Sequence, residues 1–573
     1  MKNTYRNGAI IANGGFYEEA VYHVSNEKIS TVFDGKGALV YYATAEGVFL
    51  NKGHFSFMVN DKPINWCMKK EVSMLGRKQE ILADIGVGSL KFVQFLDKNT
   101  DCVYISYELI TDVPNTKVDL LYFTDKMNAF AIYCDGDYRI IKDNYALNVT
   151  LTNNCKKKNL IFTFNKELKV DINAFDKALA SCNKEIADVK VPENLSDMEK
   201  AMFYSCYFCV LENYKEKGDF KGFMAGHHYL FPMRTYYRDS YYTVLPMYNG
   251  NLEKVKNEVV TLAKGIADDG TCPSAVGADY KAFWGNHFDS PSFLAIMLYD
   301  YVRYSKDLDV MSLPVGDDTV LGKAELVMKK LEECEDDNGL IYKAGPYNRR
   351  DWVDEINRWG YVSYDEILYA RALYSLSKLF ALKGDNVKAE NYAKKYEKTK
   401  NSINEVLWDE KLGYYVNYKN EQYVEDNLSV DTVWAVIFGI ADEERSKRIL
   451  KNMENLLEVC NNKEVDLPDY GVMAVYPFYQ NVDAVYWTSS QPYNYHNGSN
   501  WPYWAAILAY AKRKFGMEYK HALTSWFTYN IDRNNYTPIE YFSPACKDGS
   551  LLQAWSGVGA FVLDEKTSLT FFD

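Results

Sequence analysis

The stretch Leu195-Ser196-Asp197-Met198-Glu199-Lys200-Ala201-Met202-Phe203 divides the chain. Ser196 followed three residues later by Glu199 is a capping box, in which each side chain bonds the other residue's backbone N–H and so starts a helix. Beyond it apolar residues recur every three to four positions. Before it they alternate: Val103, Ile105, Tyr107 and Leu109 stand against Cys102, Tyr104, Ser106 and Glu108, the period-two pattern of a strand. Similar runs at 89–96, 118–124, 145–152 and 160–164 are separated by Asp, Asn, Gly and Lys clusters that supply turns. Many short strands without intervening helices predict an antiparallel β-sandwich over residues 1–191, followed by a helical domain over residues 192–573.

Composition agrees with two folded domains. The chain has 573 residues, 47% of them hydrophobic and 25% charged, with a net charge of −13. That balance suits a globular protein and argues against a nucleic-acid partner, which a basic surface would serve. No apolar run has the length of a membrane span or the form of a signal peptide, so a cytoplasmic protein with no membrane partner is expected. The 11 Cys are scattered, as in a reducing compartment. Cys206 and Cys209 have C-x-x-C spacing but lie in a helical pattern without a second pair, and are read as core residues. Aromatics reach 15%, with 48 Tyr, 29 Phe and 11 Trp, more than a core obviously needs.

Caps and 3.6-residue stripes predict about twelve helices, at 196–215, 239–248, 251–267, 290–305, 318–334, 363–383, 385–408, 429–439, 442–459, 500–515, 517–529 and 551–563. Connections after odd-numbered helices are mostly long and those after even-numbered ones mostly short. Antiparallel hairpins follow, and closing them in a ring gives an (α/α)6 barrel with every long loop at one end. The even-numbered inner helices then point their N-termini at a loop-lined cleft, where their dipoles favour acidic groups and polar ligands.

The long loops carry the chemistry. The first ends in Arg238-Asp239, where Asp239 is either a helix cap or a carboxylate for sugar hydroxyls. The second carries Trp284-Gly285-Asn286-His287-Phe288-Asp289 before Ser290-Pro291, a helix start. Trp284, His287 and Asp289 are expected to face the cleft, although His287 also suits a structural role. The third, from Gly345 to Gly360, sets Asp351, Asp354 and Glu355 among Tyr347, Trp352 and Trp359. Desolvation beside such rings raises a carboxyl pKa, as a general acid requires. Ser363-Tyr364-Asp365-Glu366 then forms another capping pattern, so Glu366 is a cap or a site residue. Later loops supply Tyr495-His496-Asn497-Gly498, Trp501-Pro502, Ile539-Glu540-Tyr541 and Gln553-Ala554-Trp555-Ser556. Two carboxylates from separate loops across an aromatic cleft suffice to cleave a glycosidic bond, and inversion requires them roughly 6.5–9.5 Å apart.

Arg238-Asp239, Asp351-Trp352-Val353-Asp354, Tyr495-His496-Asn497-Gly498 with Trp501-Pro502, and Ile539-Glu540 with Gln553-Ala554-Trp555-Ser556 together resemble the six-hairpin glycosidases. The likeness is greatest to the amylo-alpha-1,6-glucosidase module of glycogen-debranching enzymes and its bacterial relatives. That resemblance implies an inverting, cofactor-free hydrolase, with Asp354 as general acid and Glu540 as general base. It implies that Arg238, Asp239, His496 and Trp501 bind the first sugar; Trp284, His287, Asp289, Trp352, Glu366, Gln553 and Trp555 complete the expected binding set. No metal is called for. Tyr237 stands where the family carries Gly, and Tyr503 where it carries Trp, so the reaction class is clearer than the substrate. α-Linked glucosides or related oligosaccharides are expected. A phosphorylase on the same barrel and a non-catalytic carbohydrate-binding protein are the alternatives.

Overall fold

Alternation in the first part of the chain becomes two facing antiparallel sheets in the computed structural model, which describes residues 1–63, 68–141, 145–285, 287–345, 350–481, 489–545 and 548–572. One sheet has the spatial order Lys2–Arg6, Ala9–Gly15, Lys69–Leu75, Lys78–Asp84, Ser89–Leu96, Val103–Ile110, Lys157–Thr163, Ala131–Cys134. The other runs Arg139–Ile141, Ala146–Thr152, Lys117–Phe123, His54–Val59, Lys62–Pro63. Phe92 pairs with Tyr107 across two central strands of the first sheet. Both rings meet Phe55 of the second sheet, at 5.4 and 5.8 Å between centroids. These inward positions of the alternating runs form the sandwich core, while a four-stranded meander from Tyr22 to Leu50 extends it.

Residues 164–191 are not strands. Helix α1 (Phe175–Asp188) buries Phe175, Ala178 and Cys182 against Phe95, Tyr104 and Ile161, on the outer face of the first sheet. It satisfies a face of that sheet which a two-layer sandwich alone would leave wet.

The capping box at Ser196 forms as read, with both reciprocal bonds present at the start of α2 (Asp197–Asn213). The other barrel helices are α3 (Tyr237–Val244), α4 (Leu252–Lys264), α5 (Ser290–Ser305), α6 (Val320–Glu332), α7 (Ser363–Lys383), α8 (Asn386–Val406), α9 (Val433–Ile437), α10 (Glu443–Leu456), α11 (Pro502–Lys514), α12 (Lys520–Asp532) and α13 (Val558–Leu563), with a single turn at Glu565–Ser568 after them. Helices α3, α5, α7, α9, α11 and α13 pack in succession, and the turn leading into α13 returns to α3, closing an inner ring. Inner helices are buried nearly all round, as in α11, where only the C-terminal turn emerges. The outer helix α8 instead buries little beyond Ala389, Tyr392, Thr399 and Ile403. Cys206 and Cys209 are buried in α2, with their thiols directed at the carbonyls of Ser556 and Gln553, which is the core role expected of them.

Short strands stitch the long loops together. Arg234–Tyr236, Ala275–Gly277 and Ala282–Trp284 join the first loop to the second, while Tyr361–Val362 pairs with Tyr418–Lys419. Asn500 bridges Met473 on one side and Phe542 on the other. No described helix is long and apolar enough to cross a membrane.

Candidate active site

The strand Arg234–Tyr236 runs directly into α3, and Tyr236 occupies the N-cap position with no side-chain cap bond. Asp239 is therefore not a cap. It lies buried in the first turn of α3, and its carboxyl is pushed up to about 7 by burial and by Glu540 and Asp289, against the pull of Arg238.

Arg238 joins two of the loops to this helix. Its Nη1 donates to Asp289 Oδ2 at 3.0 Å and lies 3.2 Å from His287 Nδ1, and its Nη2 stands 3.7 Å from Asp354 Oδ1. Asp289 sits at the N-cap of α5 but makes no cap bond; the Tyr364 hydroxyl donates to it instead, at 3.2 Å. Burial and the neighbouring guanidinium push His287 down to about 3, so its ring is neutral and accepts from Arg238.

Asp354 is held by an ionic anchor of five charged residues, Lys343, Asp351, Arg358, Asp365 and Asp431. Arg358 donates to Asp351, to Asp431 at 2.8 Å and to Asn417 at 2.9 Å. Lys343 pairs with Asp351 at 2.6 Å and Asp365 at 2.7 Å. Against the cost of burial, these two cations hold Asp351 well below the carboxylate range, so it is an ionised strut and not a proton donor. Asp351 Oδ1 also accepts the Val353 N–H at 2.9 Å, which fixes the turn that presents Asp354. Asp354 itself keeps 29% of its side-chain surface open. Close packing nevertheless pushes its carboxyl up to about 7, aided by Asp351 and Asp289.

Glu540 comes from the opposite loop, on a tight hairpin in which its N–H bonds the Ser550 carbonyl at 2.8 Å and its Oε2 accepts the Ser550 N–H at 3.1 Å. Gly549 makes that turn possible: a Cβ there would lie 2.7 Å from the Tyr541 ring and 2.9 Å from the Glu540 Cβ. Burial raises the Glu540 carboxyl, and the charge of Asp354 raises it further.

Rings wall the space between these acids. His496 stacks on Trp501 with centroids 4.9 Å apart and planes 3° from parallel, and its Nδ1 takes the Glu355 N–H at 3.4 Å. Trp501 N-caps α11 and gives its indole N–H to the Tyr495 carbonyl at 3.2 Å. Trp555 stacks on Tyr503 at 4.8 Å, and Gln553 is buried beside Gly226. Trp352 is only 3% exposed and commits its indole N–H to Asp431 at 2.6 Å. It backs His496 and Trp501 edge-on instead of offering an open face. Trp284, by contrast, is 52% exposed.

Glu366 departs furthest from expectation. Helix α7 begins at Ser363 after an N-cap Val362 that makes no side-chain cap bond, so the capping box there does not form. Ser363 bonds the Val416 carbonyl, and the fully buried Glu366 accepts the Ile341 N–H at 3.2 Å. Its electrostatic neighbours are Asp365, Asp336 and Glu335, not the acids around Arg238. Asn286 and residues 346–349 of the second and third loops lie outside the described residues.

Several residues here stand outside the expected binding set. Tyr495 holds a positive φ of 46° and lies within the fields of both Asp354 and Glu540, a backbone conformation that non-glycine residues adopt at a cost. Arg234 lies over the rings of Tyr229 and Phe283, at 4.7 and 4.4 Å, and donates to the Tyr236 hydroxyl at 2.9 Å. With Trp284 against Tyr236 at 5.8 Å, they form an aromatic rim. Among 48 Tyr no local signal marks Tyr229 and Tyr236. Unsatisfied buried polar atoms converge here as well: Arg238 Nε, Asp289 Oδ1, His496 Nε2, Tyr503 Oη, Gln553 Oε1 and Trp555 Nε1 find no hydrogen-bond partner among the described residues.

Comparison with known proteins bears on the fold. A family model described as Trehalase matches residues 365–475. A bacterial glucoamylase solved with acarbose superposes with a TM-score of 0.60 at 12% identity, over 98% of both chains. A rhamnosidase from Klebsiella oxytoca solved with rhamnose gives 0.51 at 14% identity, over 96% of both. No curated protein matches by sequence. The chain has the six-hairpin glycosidase fold, an N-terminal β-sandwich followed by an (α/α)6 barrel.

Proposed function

We propose that this chain is an inverting glycoside hydrolase acting on α-linked glucosides or related oligosaccharides, with Asp354 as general acid and Glu540 as general base. The observation that carries the reading is the electrostatic pairing of these two carboxyls: they come from different long loops, both are raised by burial, and Glu540 feels the charge of Asp354. An acid near neutral pKa protonates the departing oxygen, and a second carboxylate takes a proton from the attacking water. Arg238 keeps Asp354 from rising further and, with Asp239 and the unsatisfied Oδ1 of Asp289, offers hydrogen-bond partners for sugar hydroxyls. The unsatisfied donors and acceptors beneath the rings suit a polyhydroxylated ligand, because buried polar groups otherwise cost free energy.

The Trehalase match contains neither Asp354 nor Glu540, so it supports the scaffold more than a substrate. Trehalose, maltose and α-rhamnosides are nonetheless the first compounds to try, given the names of the similar proteins. Turnover of such a panel in phosphate-free buffer tests the reading. Release of reducing sugar without phosphate supports a hydrolase. Turnover only with added phosphate would mean a phosphorylase, and stoichiometric binding without product would mean a binding protein.

A further inference from the structure

A second cluster of reactive side chains lies on the outer layer of the barrel, where the turn after α10 meets the start of α12. Glu458, Cys460 and His521 each offer one ligand atom, and the three atoms lie within 4.8 Å of one another. Cys460 Sγ is 3.6 Å from His521 Nδ1, which is 3.7 Å from Glu458 Oε2. Ligands of a tetrahedral zinc, with Zn–S of about 2.3 Å and Zn–N or Zn–O of about 2.0 Å, stand roughly 3.3–3.6 Å apart, so the Cys460–His521 separation already fits and the His521–Glu458 one needs only a few tenths of an ångström of closure.

The surroundings orient each ligand. Lys512, whose side chain is fully buried, takes Glu458 Oε1 and leaves Oε2 turned toward the imidazole. On the far side of the ring, His521 Nε2 bonds Asp469 Oδ2 at 2.6 Å. That is the carboxylate–histidine arrangement which fixes the tautomer and raises the basicity of a metal-bound imidazole. Glu458 is buried, His521 half-buried and Cys460 exposed, so an ion can reach the cluster from solvent.

We propose that Cys460, His521 and Glu458 bind one divalent transition ion, zinc by ligand type, with water as fourth ligand and Asp469 as the residue that orients the imidazole. A thiolate, an imidazole and a carboxylate together select zinc over magnesium or calcium. On binding, the ion takes the places of the Cys460 thiol proton and the His521 Nδ1 proton, both of which leave to solvent. The site clips the end of α10 to the start of α12 and anchors the loop at Asp469. That loop continues through Tyr470, whose carbonyl accepts the Asn500 side-chain amide at 3.0 Å, and Asn500 pairs with Phe542, two residues from Glu540. The metal's part is thus structural support behind the cleft.

The full chain, stripped with chelator, is titrated with Zn2+ against a chromophoric competitor and, separately, with Co2+ as a spectroscopic probe. One equivalent of tightly bound metal is expected, with a thiolate-to-cobalt charge-transfer band in the near ultraviolet. Cys460→Ser should abolish the band, His521→Asn should weaken binding at least about 10-fold, and Asp469→Asn should weaken it about 10- to 100-fold with the band retained. Circular dichroism of each variant checks that it folds, and Asp469→Asn leaves the three ligands in place should either ligand variant fail to fold. Less than one equivalent of zinc in the parent chain, cobalt binding without the band, or unchanged affinity in Cys460→Ser would overturn the proposal.

Discussion

Arg238 Nη2 lies 3.7 Å from Asp354 Oδ1, while the Nη1 of the same guanidinium is bonded to Asp289 at 3.0 Å. One buried cation is thus shared between a carboxylate spent on holding it and a carboxylate proposed as the proton donor. Asp354 gains enough from the charge to stay near pH 7, and too little to be fixed as an anion.

Removing Arg238 should therefore act on both stability and proton supply. Arg238→Ala leaves Asp239, Asp289 and Asp354 without their buried cation, at a cost of about 3–5 kcal/mol in unfolding experiments. It also removes the positive charge that lowers Asp354, so the alkaline limb of kcat/KM should move to higher pH. An unmoved limb would separate Arg238 from the acid.

Neutral isosteres of the two acids should each cost about 10²- to 10⁴-fold in turnover with the fold intact. The parent profile should be bell-shaped, its alkaline limb falling as Asp354 loses its proton near pH 7 and its acid limb lying above the ordinary glutamate range because Glu540 is raised. The two apparent pKa values belong to the coupled pair. Asp354→Asn should remove the alkaline limb and Glu540→Gln the acid one; near-normal turnover in either variant contradicts its role.

Asp239 offers a stability test with a definite sign. Its folded pKa of about 7 exceeds the unfolded value of about 3.9, so its contribution to stability is full below the unfolded pKa and is lost as pH rises toward 7. Asp239→Asn escapes that loss. The variant should gain stability over the parent as pH rises from about 4 to 7, by on the order of 2–4 kcal/mol, while losing activity. Paired unfolding curves across that range measure the difference.

Gly549→Ala probes the hairpin behind Glu540. The added Cβ cannot stand 2.7 Å from the Tyr541 ring, so the ring or the turn must shift, carrying Glu540 with it. A displacement approaching 1 Å costs about 10²-fold in rate. Reduced kcat with unchanged circular dichroism is expected.

Much of the fold was legible because its signals are local. The Ser196 capping box, the alternation around Val103 and the stripes of the twelve barrel helices are each written within a few residues. Helix α1 is less legible: Phe175, Ala178 and Cys182 have helical spacing, but its N-cap Ala174 offers no side-chain cap to set it apart from the strands before it. The ionic anchor is hidden for a different reason: Arg358 and Asp431 are 73 positions apart, and only the closed ring brings the third and fourth long loops together. Trp352 and Glu366 show the converse error. Their nearness in sequence to acids suggested contact with a ligand, whereas one gives its N–H to Asp431 and the other holds a backbone amide. Residue type marked the acidic loops; which acids are free to react depends on cations supplied from elsewhere in the chain.

Direct displacement by water between Asp354 and Glu540 is the proposed step, and proton NMR of the first minutes of turnover on an α-glucoside reads it. The released sugar should appear first as its β-anomer and then mutarotate. First appearance of the α-anomer, or no release from any α-linked compound, would contradict the assignment.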